Sequence, residues 1–134
     1  MKQYIGTKII HAEPMEKNGR PGYKVVYAPD NYESWSPKDV FEEAYRETTG
    51  MPFGLAIEAA KKGKKIARAG WNGKNQYVEL ATCISYKNNA GGSVNVEHHN
   101  IGNKALAFVG TSGVQMGWLA SQADMLADDW RIVE

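Results

Sequence analysis

Apolar and polar positions fall into two blocks along the chain. In the first, residues 4 to 12 and 22 to 28 are rich in β-branched side chains and tyrosine, which suit a pleated, half-buried surface, and the turn-prone run from Glu16 to Pro21 separates them, so two strands are predicted. A helix is expected next: Ser36 is placed to cap it, Pro37 suits its first turn, Asp39 stands three residues after the cap, and Val40, Phe41, Ala44 and Tyr45 recur at the spacing of a buried stripe. The result is a small ββα unit over residues 1–49, marginal by itself.

The second block, residues 50–134, opens on a joint at Thr48 to Met51. A helix from Pro52 follows, with Phe53, Ala56, Ile57 and Ala60 along one face and Gly63 at its end. Ile66 to Trp71 and Gln76 to Ile84 read as strands around Asn72-Gly73, a dipeptide that accepts the positive φ angles of a tight hairpin. Tyr86 to Lys104 is dense in asparagine and glycine and fits either a long hairpin loop or a weak pair of edge strands. Ala105 to Val109 reads as a strand, and Thr111-Ser112-Gly113 as a turn into Val114 to Trp118. A last helix begins near Ser121, where Asp124 completes a capping box. Leu119, Ala123, Leu126, Ala127 and Trp130 recur at helical spacing as its buried stripe, leaving Gln122 and Met125 on a flank, and Arg131 to Glu134 can return as a strand. The fold class is α+β, a small antiparallel sheet with packed helices beside the N-terminal unit.

Composition narrows the function. With 134 residues and 43% hydrophobic content, the chain can bury one core or one modest domain with an appended unit. Its single cysteine, Cys83, cannot form an internal disulfide, and the absence of a charged-then-apolar leader makes the cytoplasm the default compartment. No apolar run approaches the roughly 20 residues of a membrane-spanning helix. A formal charge of +1 argues against a duplex-DNA binder, which must neutralise many phosphates. Lys61, Lys62, Lys64, Lys65, Arg68 and Lys74 form an acid-free cluster that suits either a solvated face or a few phosphates.

Catalytic chemistry is thinly supported. His98 and His99 are adjacent and would point to opposite faces of a strand, and with only His11 and Cys83 elsewhere no zinc-ligand spacing arises. Ser112 lacks the pattern of a nucleophile elbow. Cys83 reads as a buried, inert thiol. No cofactor or metal is implied.

Binding chemistry is better supported. Bases call for aromatic or thioether faces, phosphates for cations or free N–H groups, and riboses for amides and carboxylates. Arg68, Trp71 and Asn72 offer a cation, an aromatic face and an amide within five residues. A second group comprises Trp118, Ser121, Gln122, Asp124 and Met125. Taken alone, Trp71 and Met125 fit a packing role as well as a ligand contact.

The runs FGLAIEAAKKGKKIARAGWNGK, Phe53 to Lys74, and GWLASQADMLADDW, Gly117 to Trp130, resemble the second family of phage Thoeris anti-defence proteins, over roughly residues 51 to 134. The resemblance implies a non-enzymatic protein in the cytoplasm of an infected bacterial host that binds glycocyclic ADP-ribose without degrading it. It further implies cyclic di- or oligonucleotide binding in some members, and homotetramers with pockets between subunits. Carried over by position, it puts Arg68, Trp71, Asn72, Trp118, Ser121, Gln122, Asp124 and Met125 near ligand. Residues 1–49 lie outside it, although Tyr32 to Arg46 resembles small modules of other phage proteins. Two other readings stand beside it: a nucleotide-hydrolysing enzyme using Asp124, Asp128 or Asp129, and a phage structural or adaptor protein.

Overall fold

A computed structural model describes residues 1–71, 75–95 and 104–134. The chain divides into two compact units, Met1–Glu47 and Thr48–Glu134.

The first unit is a three-stranded antiparallel sheet, ordered β1 (His11–Pro14), β2 (Gly22–Tyr27), β3 (Tyr32–Pro37), followed by helix α1 (Lys38–Ala44). The sheet is two-faced because strand side chains alternate. Val25 is buried, and Tyr23 beside it stacks on Phe41 at 4.2 Å between centroids, with Tyr45 continuing the stack at 5.0 Å. The opposite face carries Glu13, Lys24 and Glu33, where Lys24 Nζ lies 3.6 Å from each carboxylate. On that face the Trp35 ring lies directly over Gly22, whose missing side chain makes the room.

Four expectations for this unit are corrected. The first strand starts at His11, where its pairing with β2 begins opposite Val26 and runs to Pro14 opposite Tyr23. The unit has a third strand, since Tyr32 to Pro37 pairs with β2 along its whole length. That pairing keeps Ser36 in the sheet, so it caps nothing: Pro37 is the N-cap residue, and the Ser36 hydroxyl reaches only the Pro37 carbonyl. The expected stripe on α1 shrinks to Phe41 and Tyr45, with Val40 exposed and none of the helix fully buried.

The second unit is built on a five-stranded antiparallel sheet. Its strands are β4 (Lys65–Arg68), β5 (Tyr77–Ala81), β8 (Ala105–Gly110), β9 (Gly113–Met116) and β10 (Trp130–Val133), in the order β10-β4-β5-β8-β9. Between β5 and β8 runs a separate two-stranded pair, β6 (Ser85–Lys87) and β7 (Ser93–Asn95). This settles the asparagine- and glycine-rich segment as edge strands over its described part. Asn88 turns the chain there, its side-chain oxygen accepting the Ala90 and Gly92 N–H groups at 3.1 and 2.8 Å. The expected turn at Asn72-Gly73 lies outside the described residues.

Helix α2 (Phe53–Lys61) packs on the sheet through Ala56, Ala59 and Ala60, small residues that let helix and sheet approach closely. It ends where expected. Gly63 takes φ +90, its N–H bonds the Ala60 carbonyl, and the Lys64 N–H bonds that of Ala59, the paired closure of a Schellman motif. The core comprises these alanines with Met51, Ile66, Val78 and Trp130. Its two chain ends are tied together: the Met51 N–H donates to the Trp130 carbonyl at 2.6 Å, and the Ile132 N–H to that of Thr48 at 2.8 Å.

Helix α3 (Gln122–Leu126) has the expected cap, with Asp124 N–H donating to Ser121 Oγ and Ser121 N–H to the Asp124 carboxylate. The buried stripe does not form. The helix lasts only five residues and Ala127 is already extended, so the helical period breaks before it can align the stripe. Leu119 and Leu126 are exposed, 90% and 77%, while Trp130 is buried on β10. Cys83 is exposed, not buried, because β5 stops at Ala81 and the inward alternation stops with it.

Two glycines give opposite expectations. Gly22→Ala would drive a methyl into Trp35 and the Ser36 carbonyl and should destabilise the first unit by about 1–3 kcal/mol, the usual cost of overpacking. Gly54→Ala, on α2 with nothing within 4 Å of the new atom, should stabilise by about 0.4–1 kcal/mol by restricting the unfolded chain. Chemical denaturation of both variants checks the pair.

Candidate functional site

Three indoles from separate segments meet in the second unit. Trp71 follows β4, Trp118 follows β9, and Trp130 opens β10. Ring centroids lie 6.1 Å apart for Trp71 and Trp118, 5.5 Å for Trp71 and Trp130, and 6.0 Å for Trp118 and Trp130, all edge-on. Phe53 from α2 closes one side at 5.4 Å from Trp130, and Phe108 from β8 another at 5.5 Å from Trp71. Edge-to-face packing suits the ring quadrupoles. Trp130 is fully buried, whereas Trp71 and Trp118 are half-buried.

Beside this cluster lies a charged network. Arg68 Nε donates to Asp129 Oδ1 at 3.0 Å, and its Nη1 to Asp124 Oδ1 at 3.1 Å. The backbone repeats the link, with Ala69 N–H bonding the Asp129 carbonyl at 3.2 Å. The Trp130 indole N–H donates to the Asp124 carbonyl at 2.8 Å. Asp124 therefore caps α3, binds Arg68 and satisfies the buried indole.

Electrostatics follow from these contacts. Burial pushes the Asp124 carboxyl up, but hydrogen bonds from the Ser121 N–H and hydroxyl, together with the Arg68 guanidinium, outweigh it and hold Asp124 below its ordinary range. Asp129, then Asp124, hold the Arg68 guanidinium above its ordinary value.

Of the residues singled out from the sequence, Arg68, Ser121 and Asp124 thus join one hydrogen-bonded frame, and Trp71 and Trp118 join one aromatic cluster. Gln122 and Met125 are exposed on α3, Met125 to 40%. Asn72 lies outside the described residues, as do His98 and His99. Sequence alone offers Asp129 only as an acid or base; its place beside Arg68 depends on β10 pairing with β4, a long-range register that no local pattern reveals. Among the described residues no group of three or more His, Cys, Asp and Glu side chains is arranged to hold a metal ion, and no helix is long and apolar enough to cross a membrane.

The Asp124 contacts predict an acid-sensitive fold. A carboxyl held low in the folded chain contributes stability that is fully present above its unfolded pKa of about 3.9 and is lost as pH falls through the lower folded value. Asp124→Asn should melt below the parent at neutral pH, and the gap should narrow as pH drops below about 4. Melting curves of both proteins across pH 2–7 measure it (about 5 pH units, bracketing the carboxylate range); a gap that stays constant with pH would assign the loss to something other than charge.

Comparison with known proteins gives one consistent result. Residues 51–133 match the model of the Thoeris anti-defense 2-like domain. A protein of Bacillus phage SP01, named Thoeris anti-defense 2, is 35% identical over 88 residues, which span 97% of that relative and 63% of this chain. The matched region coincides with the second unit and includes the aromatic cluster and the Arg68 network. The chain belongs to the Thoeris anti-defense 2-like family.

Proposed function

We propose that the second unit binds a small cyclic nucleotide signal, glycocyclic ADP-ribose in the first instance, and removes it from solution unaltered within the infected host's cytoplasm. Cyclic di- or oligonucleotides are further candidate ligands. Family membership supports the phage anti-defence role. The observation that carries the binding reading is the meeting of the two distinctive sequence blocks, with Trp71 and Trp118 adjacent and Gln122 and Met125 exposed on the helix that follows. Indole faces, an amide and a thioether are the groups that grip a base and a sugar.

A hydrolytic role is less well served. Asp124 and Asp129, two of the carboxylates an acid–base reading would use, are ion-paired with Arg68, and Asp124, held below its ordinary range, is a poor proton donor at neutral pH.

The proposed assembly is a homo-oligomer, a tetramer by family resemblance, with pockets between subunits. Its physical support is the edge strand β9. Residues 105–123 carry no charged side chain, and Val114, Met116 and Leu119 on and beside β9 are exposed. Sheet edges left open to water are ordinarily protected by charge, proline or a bulge, so an uncharged apolar edge suits coverage by a second copy. The first unit, in this proposal, is accessory to capture.

The protein should carry intact ligand through separation. After incubation with glycocyclic ADP-ribose, removal of free ligand and heat denaturation, mass spectrometry of the supernatant should recover the unaltered compound. An altered product would make the protein an enzyme, and no release would favour an adaptor. A chain beginning at Thr48 should fold, scatter light as more than one copy per particle, and release the same ligand; normal folding and assembly with loss of ligand would give the first unit a share in the site.

A further inference from the structure

Helix α3 has little to hold it in place. None of its five residues is fully buried, and so short a helix does not persist on its own hydrogen bonds. Beside its approach to α2 and the seating of Ala127 on the core, the contacts that fix it are polar: its cap, the Trp130 indole on the Asp124 carbonyl, and Arg68, which spans from the end of β4 to Asp124 inside the helix and Asp129 beyond it. The side chains of Arg68 and Asp124 are 25% and 15% exposed, so solvent screens this pair less than a surface one.

We propose that Arg68 is a positioning residue: its guanidinium sets the place of α3 on the sheet, and thereby that of Gln122 and Met125, and it does not itself meet the phosphates of a ligand. The inference rests on the nucleotide-binding reading of this unit. Its first ground is charge. One guanidinium between two carboxylates leaves the group net negative, so an anion approaching Arg68 meets Asp124 and Asp129 at the same place. Its second ground is geometry. A planar guanidinium offers donors in a fixed fork, and here two different donors of that fork serve two different segments; lysine carries the charge but lacks the fork.

The two possible roles of Arg68 differ in the sign of one effect. If it contacted phosphate, Asp129→Asn would unburden the guanidinium and tighten binding. If it braces α3, Asp129→Asn loosens the helix and weakens binding. The full chain and its Arg68→Lys, Arg68→Gln, Asp129→Asn and Arg68→Gln/Asp129→Asn variants are titrated calorimetrically with glycocyclic ADP-ribose, at a temperature where melting curves show each to be folded. Hydrogen exchange of the Asp124 and Met125 amides is followed without ligand. The single variants should each lose about tenfold in affinity, the double variant should lose little more than either, as expected for residues acting as one unit, and both amides should exchange faster in all. Tighter binding by Asp129→Asn, or full rescue by Arg68→Lys, would overturn the proposal. So would faster exchange with unchanged affinity, which would make the brace purely structural. If the unmodified protein takes up no ligand, the nucleotide reading fails; the exchange experiment then still decides the brace, and unchanged protection in Arg68→Gln would remove it.

Discussion

Burying an indole obliges a fold to find an acceptor for its N–H, and in this chain that obligation organises the second unit. Trp130 is fully buried. Removing about 150–250 Å² of indole from water is worth several kcal/mol at about 25 cal/mol per Å², whereas an unsatisfied buried N–H costs about 1–3 kcal/mol. The gain is kept only because the Asp124 carbonyl lies 2.8 Å away. Asp124 is thereby held at a fixed point, and two further constraints converge on it: its backbone N–H and carboxylate close the cap with Ser121, and the same carboxylate takes Arg68. One tryptophan thus links the core, a helix end and an ion pair. Changes at any of these should be felt at the others, since residues sharing a network do not act additively.

The sequence revealed those parts of the fold that local chemistry controls. The Ser121–Asp124 cap depends on two side chains three residues apart, and the end of α2 depends on Gly63 alone, so both are readable in a few letters. Periodicity was misleading where an element was too short to carry it. Leu119, Ala123, Leu126, Ala127 and Trp130 are spaced as on one helix, but they fall on a loop, a five-residue helix and a strand, and only the last is fully buried. The same limit explains Cys83, placed inside by an alternation that ends with β5. Tyr32 to Pro37 is not legible as a strand because its residues, Tyr-Glu-Ser-Trp-Ser-Pro, are those of a turn and helix start; pairing with β2 makes them extended.

The candidate site was legible in its residues and not in their partnerships. Sequence alone assigns Arg68 a cation's role, and an isolated arginine beside a tryptophan fits a phosphate well. The pairing of β10 with β4 gives it carboxylate partners as well, because the register sets Arg68 opposite Trp130 and brings Asp129 within reach. The missing information is long-range strand pairing, which composition and spacing do not encode. The aromatic cluster has the same origin. Trp71, Trp118 and Trp130 are scattered over sixty residues of chain, and their meeting reflects sheet order.

That meeting also limits what one copy of the chain can do as a receptor. Nanomolar capture of a scarce signal requires about −12 kcal/mol, and one stacked base contributes about 1–3 kcal/mol. Trp71 and Trp118 each spend part of their surface on the other and on Trp130, and both are half-buried, so neither offers its whole ring to a ligand. Gln122 and Met125 lie exposed on α3, where water competes for the amide and leaves the thioether uncovered. A ligand held only by these groups would be bound on one side and wet on the other. Under the proposed reading, tight capture therefore calls for a second wall, and the uncharged edge at β9 is a surface from which another copy can supply it without like-charge repulsion.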